Sequence, residues 1–178
     1  MTPGVTSANR RWRIRTARPD DVPALHALIR ELATYEREPD AVEATEADLR
    51  QALFADRPLV HALVAALDPA RATDIAGMAL WFVSYSTWRG RHGVWLEDLF
   101  VRPQARGLGL GRALLQELAA EAVHRGYARL EWNVLDWNEP ALGFYARLGA
   151  RPLDDWTVHR LDDRALHELA SARRQDPA

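Results

Sequence analysis

The chain contains no cysteine. That excludes disulfides, thiolate metal centres and a cysteine nucleophile. It contains no lysine either, since all 23 basic residues are arginines. A Walker phosphate loop, which must end in Gly-Lys-Ser/Thr, is thereby excluded. No apolar run approaches the ~18 residues of a membrane span. The stretch Met1 to Arg13 is polar and has no apolar leader segment, so a cytoplasmic protein is expected. A formal net charge of -2 leaves no basic surplus for nucleic acid or an anionic membrane. The six histidines show no ligand spacing such as H-E-x-x-H, so no metal is expected. Ser84 and Ser86 lie in or beside a strand without a nucleophile elbow, which argues against a Ser-His-Asp triad.

What is present is a chain of 178 residues with 48% hydrophobic and 27% charged side chains, the balance of a soluble globular protein. One domain over residues 12–170 is expected, between flexible ends at 1–11 and 171–178. Its most informative stretch is Arg106-Gly107-Leu108-Gly109-Leu110-Gly111. A strand-like run from Trp95 to Val101 leads into it, and an amphipathic helix from Leu110 to Arg125 leaves it. Strand, glycine-rich turn and helix together suit a phosphate-bearing ligand. Glycine backbone approaches the anion closely, and the helix N-terminus adds partial positive charge. A dinucleotide fingerprint fails, because Arg112 stands where its third glycine belongs.

The remaining pattern is read element by element. Trp12–Thr16 is a short strand. Asp20 or Asp21 opens a helix with Pro23 in its first turn and an apolar stripe at Leu25, Leu28, Ile29 and Leu32. Thr45 and Asp48 make a capping-box start for a second helix ending at Phe54. Strands follow at Leu59–Leu67, Asp74–Tyr85 and Val94–Val101. The helix from Leu110 stops at Gly126. A fifth strand is expected over Ala128–Leu135. Asn138 caps a short helix carrying Ala141, Phe144, Tyr145 and Leu148 on one stripe. A last strand, Trp156–Leu161, and a last helix, Asp162–Ala172, complete the chain. This order predicts an α/β fold: a mixed, mostly antiparallel sheet with helices on both faces.

Three blocks carry a family resemblance: Trp95-Leu96-Glu97-Asp98-Leu99-Phe100-Val101, the Arg106–Arg112 loop, and Asp136-Trp137-Asn138-Glu139-Pro140 followed by Phe144-Tyr145. The loop fits Arg/Gln-x-x-Gly-x-Gly/Ala, read from Arg106 through Gly109 to Gly111. Together these blocks resemble the GNAT N-acetyltransferases, which use acetyl-CoA. Glu31 to Glu36, the Trp88 turn and Trp137-Asn138-Glu139-Pro140 are similar to the diamine (spermidine/spermine) and thialysine acetyltransferase subgroup. The resemblance covers about Ile14 to Leu169. It implies a sheet splayed between the fourth and fifth strands, and a homodimer. It also implies acetyl transfer to a primary amine of a small diamine, polyamine or lysine-like amino acid, by direct attack in a ternary complex. Two departures bear on the acceptor. Ser86 stands where the polyamine enzymes carry an acidic residue. Arg89 and Arg91 add positive charge that disfavours a polycation if they face the pocket.

Roles follow from the resemblance and from chemistry. An alkylammonium has a pKa of ~10.4, so the enzyme must bind a cation and remove its proton. Glu97, a carboxylate in mid-strand, is the expected base, with Asp98 beside it to hold the cation or to raise the pKa of Glu97. Neighbours on a regular strand face opposite ways, so both serve one pocket only across a β-bulge. Tyr145 is the expected acid for the departing thiolate. The cofactor is expected against Leu99, Phe100 and Val101, the loop residues Arg106, Gly107, Leu108, Gly109, Leu110, Gly111 and Arg112, and Asn138 and Ala141. Tyr35, Glu36 and Trp88 are expected to line the acceptor site with Asp98, the tryptophan by cation–π attraction. Rival readings are a protein N-terminus or an aminoglycoside-like amine as acceptor, and a non-catalytic acyl-CoA-binding protein.

Overall fold

The first helix of the chain, α1 (Val22–Tyr35), buries Val22, Leu25 and Leu28 completely, as its apolar stripe requires. In the computed structural model, which describes residues 12–68 and 71–172, that stripe lies against a five-stranded sheet. The strands β1 (Arg13–Thr16), β2 (Val60–Asp68), β3 (Arg71–Ser86), β4 (Arg91–Val101) and β5 (Leu130–Glu131) are ordered as they occur in sequence. Three successive pairs are antiparallel, and β4–β5 is parallel. Val64, Met78 and Phe100 are partners across β2, β3 and β4 and share a face. With Ala62 and Leu80 they meet α1 and Leu49 and Leu53 of α2 (Glu46–Phe54) in one core cluster. Each such leucine contributes roughly 1.5–3 kcal/mol by leaving water. The other face carries α3 (Leu110–His124), which touches β1 to β4 and buries Leu110, Leu114 and Leu118.

Local chemistry fixes the ends of these elements. Thr45 and Asp48 form the expected capping box at α2. Asp21 stands at the start of α1, but its carboxylate accepts from the Arg18 N–H and the Arg15 guanidinium instead of capping the helix. α3 ends at His124 with Arg125 as its C-cap, and Gly126 follows with φ +68°.

The chain forms two compact units, one ending at Asn133 and the other beginning at Val134. The second contains α4 (Glu139–Ala146) and α5 (Asp163–Ala172). Two expectations need correction. The strand expected at Trp156–Leu161 does not form; those residues are exposed and belong to no sheet. Alternation at Trp156 and Val158 supplies β propensity, but a strand also needs a partner for its backbone groups, and none of the described strands provides one. The fifth strand is two residues long, not eight, because its ladder with β4 stops at Trp95–Glu131. The ladder does not continue beyond that pair, where a splay is expected. Of the flexible ends expected at 1–11 and 171–178, residues 1–11 and 173–178 lie outside the described residues, whereas Ser171 and Ala172 belong to α5.

Candidate active site

Across the β3–β4 ladder, Leu80 pairs with Asp98 and Trp81 pairs with Leu96. Glu97 is the extra residue between them, a β-bulge at the position where two adjacent carboxylates need one. Asp98 shares the face of Leu80 and Phe100, which is the face covered by α1. Trp95, the partner of Phe82, lies on that face too, and its indole N–H donates to Glu97 Oε2 at 3.0 Å. The bulge thus turns Glu97 and Asp98 toward the same side.

Glu36, at the C-terminal cap of α1, joins them. Burial raises the Asp98 carboxyl, and repulsion from Glu97 and then Glu36 raises it further, to about 6. Burial also pushes Glu36 above its ordinary value. A cation entering here would relieve three like charges at once. A neutral or anionic ligand would not.

The glycine loop is built for the opposite charge. Gly107 and Gly109 hold φ of +83° and +82°, a region that side chains with a Cβ rarely adopt. Gly109 is the N-cap of α3, and the first helical bond runs from the Ala113 N–H back to its carbonyl. The N–H groups of Leu110, Gly111 and Arg112 therefore have no partner inside the helix and point out of its positive end. These groups fit a pyrophosphate. The Arg106 side chain is engaged elsewhere: its Nε donates to the Val101 carbonyl, and its guanidinium lies 5.0 Å from the Tyr35 ring centroid and 6.0 Å from that of Phe100.

Tyr35 is accordingly a wall shared between α1 and the loop, with its ring packed under Arg106. Trp88 is placed differently. It projects from the β3–β4 turn at 89% exposure, at the far end of the hairpin from the bulge. In the second unit, Asn138 is buried at the N-cap of α4 and accepts from the Ala141 N–H at 3.4 Å. Tyr145 lies half-buried on the same helix, with its ring 5.3 Å from that of Phe144.

Two contacts had no signal in the sequence. The Trp95–Glu97 bond depends on the bulge. Arg102 makes a bidentate ion pair with Glu31, and its terminal nitrogen donates to the Ile75 carbonyl, tying α1 to the entrance of the glycine loop. The two residues are 71 positions apart and meet only through the fold.

A bulged strand that leads into a glycine-capped helix points to an acyltransferase domain of the acetyl-CoA-dependent class. Residues 23–150 match the acetyltransferase (GNAT) family, and the chain belongs to it. It is an N-acetyltransferase. It is 38% identical over 164 residues to the thialysine N-epsilon-acetyltransferase of Bos taurus, covering 88% of this chain and 96% of that one. It is 31% identical to the L-ornithine N5-acetyltransferase NATA1 of Arabidopsis thaliana, over 88% of this chain and 87% of that one. Among solved structures, the integron cassette protein VCH_CASS6 from the mobile metagenome of V. cholerae superposes with a TM-score of 0.74 at 25% identity, over 91% of this chain and 99% of that one.

Among the described residues no group of His, Asp and Glu is arranged to hold a metal ion, and no helix is long and apolar enough to cross a membrane.

Proposed function

We propose that this enzyme acetylates the distal primary amine of a small lysine-like amino acid. The observation that carries the reading is the joining of Glu36, Glu97 and Asp98 at the bulge, a site for one compact cation. The names of the thialysine and ornithine relatives support it. Ser86 in the β3–β4 hairpin supports it too, because a long polycation would look for further acid there.

Acetyl-CoA supplies the activated acetyl group when bound. Gly107 to Arg112 would hold its pyrophosphate through backbone N–H groups, and Leu99 to Val101 would face its acyl arm. Glu97 and Asp98 act as one proton-accepting pair. With Asp98 at about 6, transfer from an ammonium at ~10.4 is uphill by roughly 6 kcal/mol, against roughly 9 for an ordinary carboxylate. Glu97 is the exposed member and passes the proton to water. Tyr145 supplies a proton to the leaving sulfur, and Asn138 and Ala141 hold the pantetheine side. We propose a homodimer as the working form, on the family resemblance.

The test is thiol release from acetyl-CoA against thialysine, ornithine, lysine, spermidine, putrescine, an aminoglycoside and a short peptide. The protein has no cysteine, so it gives no thiol background of its own. Turnover highest with a lysine-like amino acid is the expected result. Preference for spermidine, the aminoglycoside or the peptide would replace the acceptor. No turnover with any of them, with acetyl-CoA still bound, would point to a binding protein. Sedimentation velocity on the full chain tests the dimer.

A further inference from the structure

We infer that the Arg129–Glu131 ion pair is the subsite that reads the α-carboxylate and α-ammonium of the acceptor. This rests on the lysine-like reading and adds to it the residues that would distinguish an amino acid from a plain diamine.

The argument begins with the short parallel ladder. Val94 pairs with Leu130 and Trp95 with Glu131. The Val94 N–H donates to the Arg129 carbonyl at 2.9 Å, and the Ala128 N–H to the His92 carbonyl at 2.8 Å. In that register Arg129 stands beside Gly93, and Glu131 beside Trp95. Aligned residues of a parallel pair share a face, so Glu131 lies on the side of Trp95. That is the side of Glu97, to which the Trp95 indole donates.

Gly93 explains how Arg129 fits. A Cβ at that position would lie 2.9 Å from Arg129 Cγ and 2.9 Å from Ser84 Oγ. The arginine stem occupies the space that any other residue at 93 would need. Its Nε meets Glu131 Oε2 at 2.7 Å, with the two side chains 37% and 24% exposed. The contact uses Nε, which leaves the two terminal nitrogens to grip a carboxylate in the bidentate manner.

The spacing suits a lysine-like molecule. Glu97 is two residues beyond Trp95, about 6.6 Å along the strand, and β5 is about 4.8 Å to the side. Glu131 is therefore about 8 Å from Glu97, backbone to backbone. The α-carbon of an extended lysine is about 6 Å from its distal nitrogen at roughly 1.2 Å per bond. With that nitrogen at Glu97 and Asp98, the α-carbon falls beside Trp95, within reach of both members of the pair. Glu131 would take the α-ammonium and Arg129 the α-carboxylate. A diamine of the same length would still set its second ammonium at Glu131, but would offer Arg129 no carboxylate and leave that guanidinium facing the ligand's cation.

The experiment compares kcat/KM of the full-chain enzyme for thialysine, for its decarboxylated analogue and for its analogue lacking the α-amino group. The parent should prefer thialysine to both. Arg129→Gln should cut the thialysine-to-decarboxylated ratio at least tenfold, through KM for thialysine, while Arg129→Lys keeps part of the preference. Glu131→Gln should cut the ratio of thialysine to the deaminated analogue. Ratios within one variant are immune to partial loss of folded enzyme. Unchanged ratios in Arg129→Gln and Glu131→Gln, with the parent preferring thialysine, would overturn this subsite and leave the proposed acceptor standing. A parent that acetylates none of the three amines overturns both.

Discussion

The bulge in β4 and the loop after it are suited to opposite charges by opposite means. At Glu97 and Asp98 the proposed work falls to side chains, and burial is the first cause that raises Asp98 to about 6. At Gly107 to Arg112 it falls to backbone, and the side chain of the preceding Arg106 is turned onto Tyr35. A carboxylate site therefore depends on residue identity and protonation. A backbone site depends on conformation. The two should fail differently when mutated.

The sharpest break is Asp98→Asn. It should lower kcat/KM by 10²–10⁴-fold, the usual range for loss of a general base. It should also remove the acid limb of the parent profile, in which kcat/KM rises as pH rises through about 6. A variant that keeps that limb would assign the titration elsewhere. Gly109→Glu tests the other side. A side chain at φ +82° is strained, and its charge opposes the anion. Acetyl-CoA affinity should fall by roughly 30-fold or more, the equivalent of about 2 kcal/mol. Unchanged affinity by calorimetry would remove the loop from the cofactor site. Tyr145→Phe should lower kcat about 10- to 100-fold with KM for acetyl-CoA unchanged, or 1.4–2.8 kcal/mol of barrier. Turnover equal to the parent would remove the assigned acid.

A separate effect is on stability. The folded pKa of Asp98 is raised above its unfolded value, so the folded state favours the protonated form. Stability from this group is fully present below pH ~4 and is lost as pH rises through about 6. Asp98→Asn should therefore stabilise the protein at pH 8, by as much as about 3 kcal/mol, and have no such effect at pH 4. Urea melts at the two pH values measure the difference. Equal effects at both would show that the carboxylate is not under strain.

How much of this was legible depended on the range of the signal. The glycine loop could be read directly, because its spacing is local and its glycines have one conformational use. The helix stripes were legible for the same reason: Leu25 and Leu28 are buried where periodicity placed them. The need for a bulge was legible, because Glu97 and Asp98 are adjacent. Its register against Leu80 and Trp81 was not, since that depends on a partner strand. Propensity over-extended the fifth strand and created one at Trp156–Leu161, because a pattern of side chains says nothing about who supplies the ladder. Trp88 belongs to a recognisable turn motif, yet the motif does not say how far the turn stands from the bulge. The Arg129–Glu131 pair was invisible beforehand, since two common charges become notable only when Gly93 clears a place for one of them.

The cluster of Glu36, Glu97 and Asp98 has a consequence for the end of the catalytic cycle. An amine arrives as a cation and leaves as an amide, which carries no charge. In the proposed mechanism these carboxylates draw the acceptor in, have nothing to hold once it has reacted, and feel their mutual repulsion return. Release of the product is then favoured by the same field that favoured uptake. On the same proposal the exposed Glu97 gives the captured proton a way out, and the site is reset for the next acceptor.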